Sequence, residues 1–259
     1  MSGRQLAWRL WYEALAVRLR KPEWAFMNYG YAPRDPRTAP VALEPRDEAD
    51  RLSIQLYEHA LSHADLGGVD VLEVGSGRGG GASYINRYHR PRSMTGLDFS
   101  RSAVSLCNRS RREPGLVFVH GDAQAMPFPD ESFDAVVNVE SSHCYDSMDT
   151  FLAEVHRVLR SGGAFFWADL RDHGDIGALH GHFAASALTL QDEGEITDEV
   201  LLALRLDNDR KSDLIDTWVP RGVRRPFRRF AGIEGSRTYA RFEAGELRYL
   251  SARLTKSPR

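Results

Sequence analysis

A strand that runs straight into a glycine cluster, LEVGSGRGGG over residues 72–81, constrains this 259-residue chain more than any other feature. Glycine serves such a turn in two ways: it accepts backbone angles closed to other residues, and it removes side chains that would keep a ligand off the backbone. A helix starting just after the turn offers free N–H groups and a positive dipole end to a carboxylate or phosphate. Gly75, Gly77 and Gly80 also satisfy the dinucleotide fingerprint G-x-G-x-x-G, so the turn alone does not choose a cofactor.

The pattern around it is regular. Strands are predicted at VDVLEVG (69–75), SMTGLD (93–98), GLVFVHGD (115–122), SFDAVVNVE (132–140) and AFFWADL (164–170). Helices are predicted over 79–88, over 100–110 with Ser100 as N-cap, and over 148–159, closed by Ser161-Gly162-Gly163. Alternating strands and helices imply a parallel sheet covered on both faces. Apolar spacing also predicts helices over 4–20 and 47–64, flanking a proline-rich connector at 31–45. Residues 172–218 read as a helical insertion, and 228–256 as a late hairpin returning to the sheet.

Bulk properties narrow the class. A net charge of −2 does not suit a nucleic-acid binder. Two cysteines make no disulfide framework, which fits a reducing cytoplasm. Charges interrupt the first twenty residues, so they do not read as a signal peptide, and no run of about 18 apolar residues predicts a membrane span.

Three acids extend the cofactor argument. Asp98 ends the second strand, near the spacing of the acid that binds a ribose diol. Glu73 sits inside an apolar strand, where a carboxylate is costly unless paired. Asp122 follows the third strand in HGDAQAMPF. In order, LEVGSGRGGG, GLDFS, HGDAQAMPF, FDAVVNVESSHCY and VHRVLRSGG resemble the five motifs of class I S-adenosylmethionine methyltransferases. The resemblance covers about residues 50–170. It implies a Rossmann-like α/β fold with a seven-stranded, mostly parallel sheet, an N-terminal helical cap (1–64) and a domain over 65–259 that carries the insertion as a lid. It implies S-adenosyl-L-methionine as cofactor. Gly75, Ser76 and Gly77 would line its methionine part. Asp98 would hold the ribose, Phe99 would pack on the adenine, and Asp122 with the Ala123 N–H would read the adenine edge. Asn138 and Glu140 would border the methionine end beside Glu73. GGGASYI, NVESSHCY and WAFMNYGY are similar to a narrower group, the phthiotriol and phenolphthiotriol dimycocerosate methyltransferases and bacterial fatty-acid O-methyltransferases. That likeness implies methylation of a hydroxyl or carboxyl oxygen on a lipid-like or secondary metabolite, with carbon as the alternative atom. It says nothing against a homodimer.

A hydroxyl acceptor must lose its proton as it attacks, and histidine suits that task; a carboxylate needs no base. His143, just after the fourth strand, is the candidate base, with Glu140 as its orienter or as a cofactor contact. Tyr29 and Tyr31 could fold over the cofactor, while Trp167 and Asp169 could wall the acceptor pocket. His173, His180 and His182 lack a metal-ligand spacing, so no metal is expected. The run Arg221–Arg229 reads as a solvated loop or lid edge. Two other functions stay open: a nicotinamide oxidoreductase, and a non-catalytic protein that kept the fold.

Overall fold

The computed structural model describes residues 24–62 and 64–258, so the helix expected over 4–20 lies outside them. Its centre is a seven-stranded sheet made of β1 (Asp70–Val74), β2 (Ser93–Asp98), β3 (Leu116–His120), β4 (Phe133–Val139), β5 (Leu159–Asp172), β6 (Leu188–Glu195) and β7 (Leu247–Lys256). Their order across the sheet is β3-β2-β1-β4-β5-β7-β6. The first five strands run parallel, while β7 is antiparallel to both β5 and β6. Progress along the chain reverses direction between β1 and β4. That switch point is where open α/β sheets leave a crevice beyond the carboxyl ends of their strands.

Two apolar cores flank the sheet, and the two-residue period of each strand divides its side chains between them. Val71 of β1 joins one core and Leu72 and Val74 join the other. The first core takes α1 (Arg51–Ala60) and α2 (Gly80–Tyr88); the second takes α4 (Met148–Val158). The intervening helix α3 (Arg101–Ser110) starts as expected, with Ser100 Oγ accepting from the Ala103 N–H at 3.1 Å.

The second half of the chain corrects three expectations. Residues 172–218 are not wholly helical. They hold α5 (Ile176–Ala185), then β6, then α6 (Thr197–Leu206) and α7 (Asn208–Trp218). The segment LTLQDEGE of β6 is polar and largely exposed because it forms the sheet edge, where one face has nothing to bury; it shows no clean alternation. The expected hairpin over 228–256 contributes one strand, β7, and its antiparallel partner β6 comes from the insertion. Before β7 stand α8 (Arg224–Phe230) and α9 (Arg237–Glu243). The Ser161-Gly162-Gly163 turn is absorbed into β5 as an irregularity in its pairing with β4, with Gly162 at φ 79°. The end of α4 is capped instead by Lys256, whose Nζ donates to the carbonyls of His156 and Leu159 at 3.0 and 2.7 Å.

Candidate active site

The carboxyl ends of β1 to β4 open into a cleft of about 1760 Å³. A single small-molecule site takes roughly 300–1,000 Å³, so the space suits two ligands together. The glycine turn forms one wall. Gly75 has φ 78°, and a Cβ there would stand 2.0 Å from Ser141 Oγ, so only glycine closes this turn against the β4 loop. Gly81 is equally tight against α1, since a Cβ would lie 2.1 Å from the Tyr57 ring. Asp98 fixes the turn from β2. Its Oδ2 accepts from the Gly77 N–H at 2.7 Å and its Oδ1 from the Ser100 N–H at 2.8 Å. Ser76 Oγ is buried in the same wall and has no hydrogen-bond partner among the described residues, a donor an incoming polar ligand would satisfy. Beyond it stand Phe99, left 44% exposed, and the Asp122 turn, in which Asp122 Oδ1 accepts from the Gln124 N–H at 2.9 Å.

Of the sequence-predicted residues, Tyr29, Gly75, Ser76, Gly77, Asp98, Phe99, Asp122, Ala123, Glu140 and His143 meet in this cleft. Glu73 and Asn138 do not line it. Both are fully buried behind the wall. Asn138 Nδ2 donates to the Val74 carbonyl at 2.8 Å and to Tyr145 Oη at 3.1 Å, which ties β4 to β1. Glu73 faces the α1 side of the sheet, where Tyr57 Oη donates to its Oε1 at 2.6 Å. Trp167 is core as well, with Nε1 donating to Ser142 Oγ at 2.8 Å. Tyr31 stacks on His59 instead, with ring centroids 4.5 Å apart.

Burial pushes the Glu73 carboxyl up to about 8, against the lowering effect of the Tyr57 hydroxyl. The folded protein then holds this proton long after the unfolded chain has lost it. The resulting stability is complete below the unfolded value near 4.5 and is lost as pH rises towards 8. Roughly 4 kcal/mol is at stake over that window. Glu73→Gln, which keeps the shape without the charge, is expected to match the parent near pH 4 and to melt roughly 5–10 °C higher near pH 8.5. Thermal melts across pH check this; equal melting temperatures at the alkaline end would show that Glu73 does not carry the burden.

The second wall centres on His143 and Asp169. Asp169, at the end of β5, is fully buried. It accepts from His143 Nδ1 at 2.7 Å, from the His143 and Leu170 N–H groups at 2.8 Å each, and from Ser142 Oγ at 2.7 Å. An Arg171 guanidinium lies 3.1 Å away. Burial alone would raise this carboxyl, but His143 and Arg171 outweigh it and hold Asp169 well below its usual range. Burial alone would likewise lower His143, yet the Asp169 charge prevails and raises it well above 6.5. The result is an imidazolium–carboxylate pair on the cleft wall, with the histidine side chain 29% exposed. Glu140 stands beside it in a left-handed backbone conformation, φ 51°. Its Oε2 accepts from the Tyr29 N–H at 2.8 Å and from Tyr249 Oη at 3.0 Å, and burial pushes it up to about 7.

Sequence reading gave Asp169 no partner, because His143 lies 26 residues away and only the β4–β5 pairing joins them. Tyr145 and Ser141 were also missed; their hydroxyls lie 2.8 Å apart on the cleft wall. Of the arginine run, Arg221, Arg224, Arg225, Arg228 and Arg229 all line the cleft, a placement the sequence reading did not specify.

Fold and cleft together define a Rossmann-like α/β protein of the methyltransferase class. Among family models, one described as "Methyltransferase domain" matches residues 72–167. A phthiotriol/phenolphthiotriol dimycocerosates methyltransferase of Mycobacterium tuberculosis is 43% identical over 249 residues, covering 96% of this chain and 92% of that one. A fatty-acid O-methyltransferase of Mycolicibacterium smegmatis is 43% identical over 83% of this chain and 78% of its own length. Among solved structures, a geranyl diphosphate C-methyltransferase from Streptomyces coelicolor, in complex with Mg2+, a thiolodiphosphate analogue and S-adenosyl-L-homocysteine, superimposes with a TM-score of 0.66 at 15% identity, covering 99% of both chains. The chain belongs to the methyltransferase family that its 43%-identical relatives represent.

Proposed function

We propose that this methyltransferase uses S-adenosylmethionine and transfers the methyl group to an oxygen of a lipid-like small molecule. The observation that carries the reading is the cleft itself. The side-chain-free Gly75 turn, the Ser76 hydroxyl without a partner among the described residues, the Asp98 carboxylate and the exposed Phe99 face all line it, which supports sites for an amino-acid end, a ribose and an adenine. The cofactor would be held by these residues together with Asp122 and the Ala123 N–H, and when bound it supplies an electrophilic methyl group. The names of the two relatives, one acting on a dimycocerosate lipid and one on a fatty acid, support a long apolar acceptor.

The chain's own chemistry is proton removal and positioning. Asp169 fixes the His143 ring by holding Nδ1, which leaves Nε2 as the nitrogen able to take a proton from an acceptor hydroxyl. Because Asp169 raises His143, the dyad becomes competent only as pH rises and the imidazolium loses its proton. Glu140 and Tyr29 close the corner between the two walls.

Calorimetry with S-adenosylmethionine and S-adenosylhomocysteine tests the cofactor half. Binding at one site with a Kd of about 1–100 μM is expected. Saturable binding of NADH with no response to either adenosyl compound would replace the reading with an oxidoreductase. Carbon stays the alternative acceptor atom, and the bond in the methylated product, C–O or C–C, separates the two.

A further inference from the structure

The five arginines of residues 221–229 are sorted by their spacing. Residues four apart share one side of a helical segment. Arg224 and Arg228 turn to Asp216, with guanidinium-to-carboxylate distances of 3.4 and 2.9 Å. Arg221, Arg225 and Arg229 follow the other four-residue series. All five line the cleft, but no carboxylate among the described residues pairs with Arg221, Arg225 or Arg229. Arg237, from α9, lines the same cleft and has no partner there either. The acidic residue this segment does bring to the cleft, Glu234, accepts from Tyr239 Oη at 3.5 Å.

Four uncompensated guanidiniums around one opening repel one another, an arrangement that disfavours itself unless an anion arrives. The chain as a whole has a net charge of −2, so the cluster is not the by-product of a basic chain. The cofactor accounts for at most one of these charges, because it carries a single carboxylate offset by its own ammonium and sulfonium groups, which leaves the other guanidiniums for a second anion. Apolar residues, Phe26, Met27 and Ile233, line the cleft alongside the arginines. Arg229 is close enough to lower Tyr29 electrostatically, and Tyr29 touches Glu140 at the reacting corner.

We propose that Arg221, Arg225, Arg229 and Arg237 form a clasp for an oxyanion, a carboxylate or phosphate carried by the acceptor itself, so that this enzyme selects an anionic amphiphile over a neutral one. The proposal rests on the methyl-transfer reading above and deepens it. Guanidinium forks bind both anions in bidentate fashion, and such contacts weaken with salt.

The experiment is calorimetry of the full chain, saturated with S-adenosylhomocysteine, against dodecanoate, dodecyl phosphate and dodecanol, each below its micelle concentration. One or both anions are expected to bind at least about tenfold more tightly than dodecanol, and to lose that advantage at high salt. The double variant Arg225→Gln/Arg229→Gln should erase the preference and leave dodecanol and S-adenosylhomocysteine affinities within about twofold. The paired variant Arg224→Gln/Arg228→Gln should keep the preference. Equal binding of dodecanol, or a preference that survives the first double variant, overturns the clasp. So does sedimentation with phosphatidylglycerol vesicles when no monomeric anion binds, since the arginines would then serve a membrane surface. If the first double variant does not fold, Arg225→Gln alone must still weaken the anions selectively. Failure of S-adenosylhomocysteine to bind counts against the cofactor reading, and anion binding to the bare protein still tests the clasp.

Discussion

His143→Ala is expected to lower kcat on a hydroxyl acceptor by about two to four orders of magnitude, with cofactor affinity within about twofold of the parent. The reason is positional. The imidazole stands on the cleft wall with Nδ1 held by Asp169, and no other described residue of the cleft wall combines that exposure with a proton-accepting nitrogen so fixed. The pH profile distinguishes this role from a structural one. In the parent, kcat/KM should rise with pH through an inflection above 6.5, since the Asp169 charge keeps His143 protonated below it. Asp169→Asn removes that charge. With desolvation then the dominant influence, the inflection should move to lower pH, while kcat falls because the ring loses its fixed tautomer. On the proposed mechanism Asp169 is a positioning residue, and its variant separates rate from titration. An inflection that stays in place would show that some other group titrates in the parent. Full turnover by His143→Ala on a hydroxyl substrate would remove His143 from the mechanism as the base.

Asp98→Ala is expected to weaken S-adenosylhomocysteine binding by about two to four orders of magnitude. Charge-assisted hydrogen bonds to a ribose diol contribute about 1.5–3 kcal/mol each, and two are lost. A second consequence follows from the geometry. The Gly77 and Ser100 N–H groups both donate to this carboxylate, so its removal leaves two backbone donors of the glycine turn without acceptors. Asp98→Asn keeps an acceptor oxygen for one of them and should recover part of the fold stability but little of the affinity, because the amide presents one acceptor where the carboxylate presents two. Calorimetry for affinity and thermal melts for stability read the two effects apart. Affinity retained within about tenfold in Asp98→Ala would mean that the ribose is held elsewhere.

The legible part of this chain was its repeating part. Strands β1, β2 and β4 are almost wholly buried, so each appears as a short apolar run between turn residues, and β3 and β5 carry apolar stretches of the same kind. The loops at their carboxyl ends carry the residues that meet in the cleft, and a glycine with φ 78° leaves a signature that needs no tertiary context. Beyond Leu170 the signal weakened for a physical reason. β6 is an edge strand with an exposed polar face, and β7 pairs with β5 and β6 across long stretches of chain, so neither shows its partner locally. The arginine spacing in RGVRRPFRRF was visible, but which of the arginines a carboxylate would neutralise was not. Asp216, seven residues upstream of Val223, decided that only once α7 and α8 were packed together.

Local order along the chain was enough to determine the alternating α/β framework, the glycine turn and the acid that follows it on β2, because these depend on backbone angles and on the period of burial. Tertiary structure alone decided that Glu73 and Asn138 stand behind the wall, that Asp169 grips His143, and that arginines without a carboxylate partner among the described residues line the opening. Each of those facts is a meeting of side chains from strands or helices distant in sequence, and electrostatics in a partly buried site depends on which charges meet rather than on which residues are present.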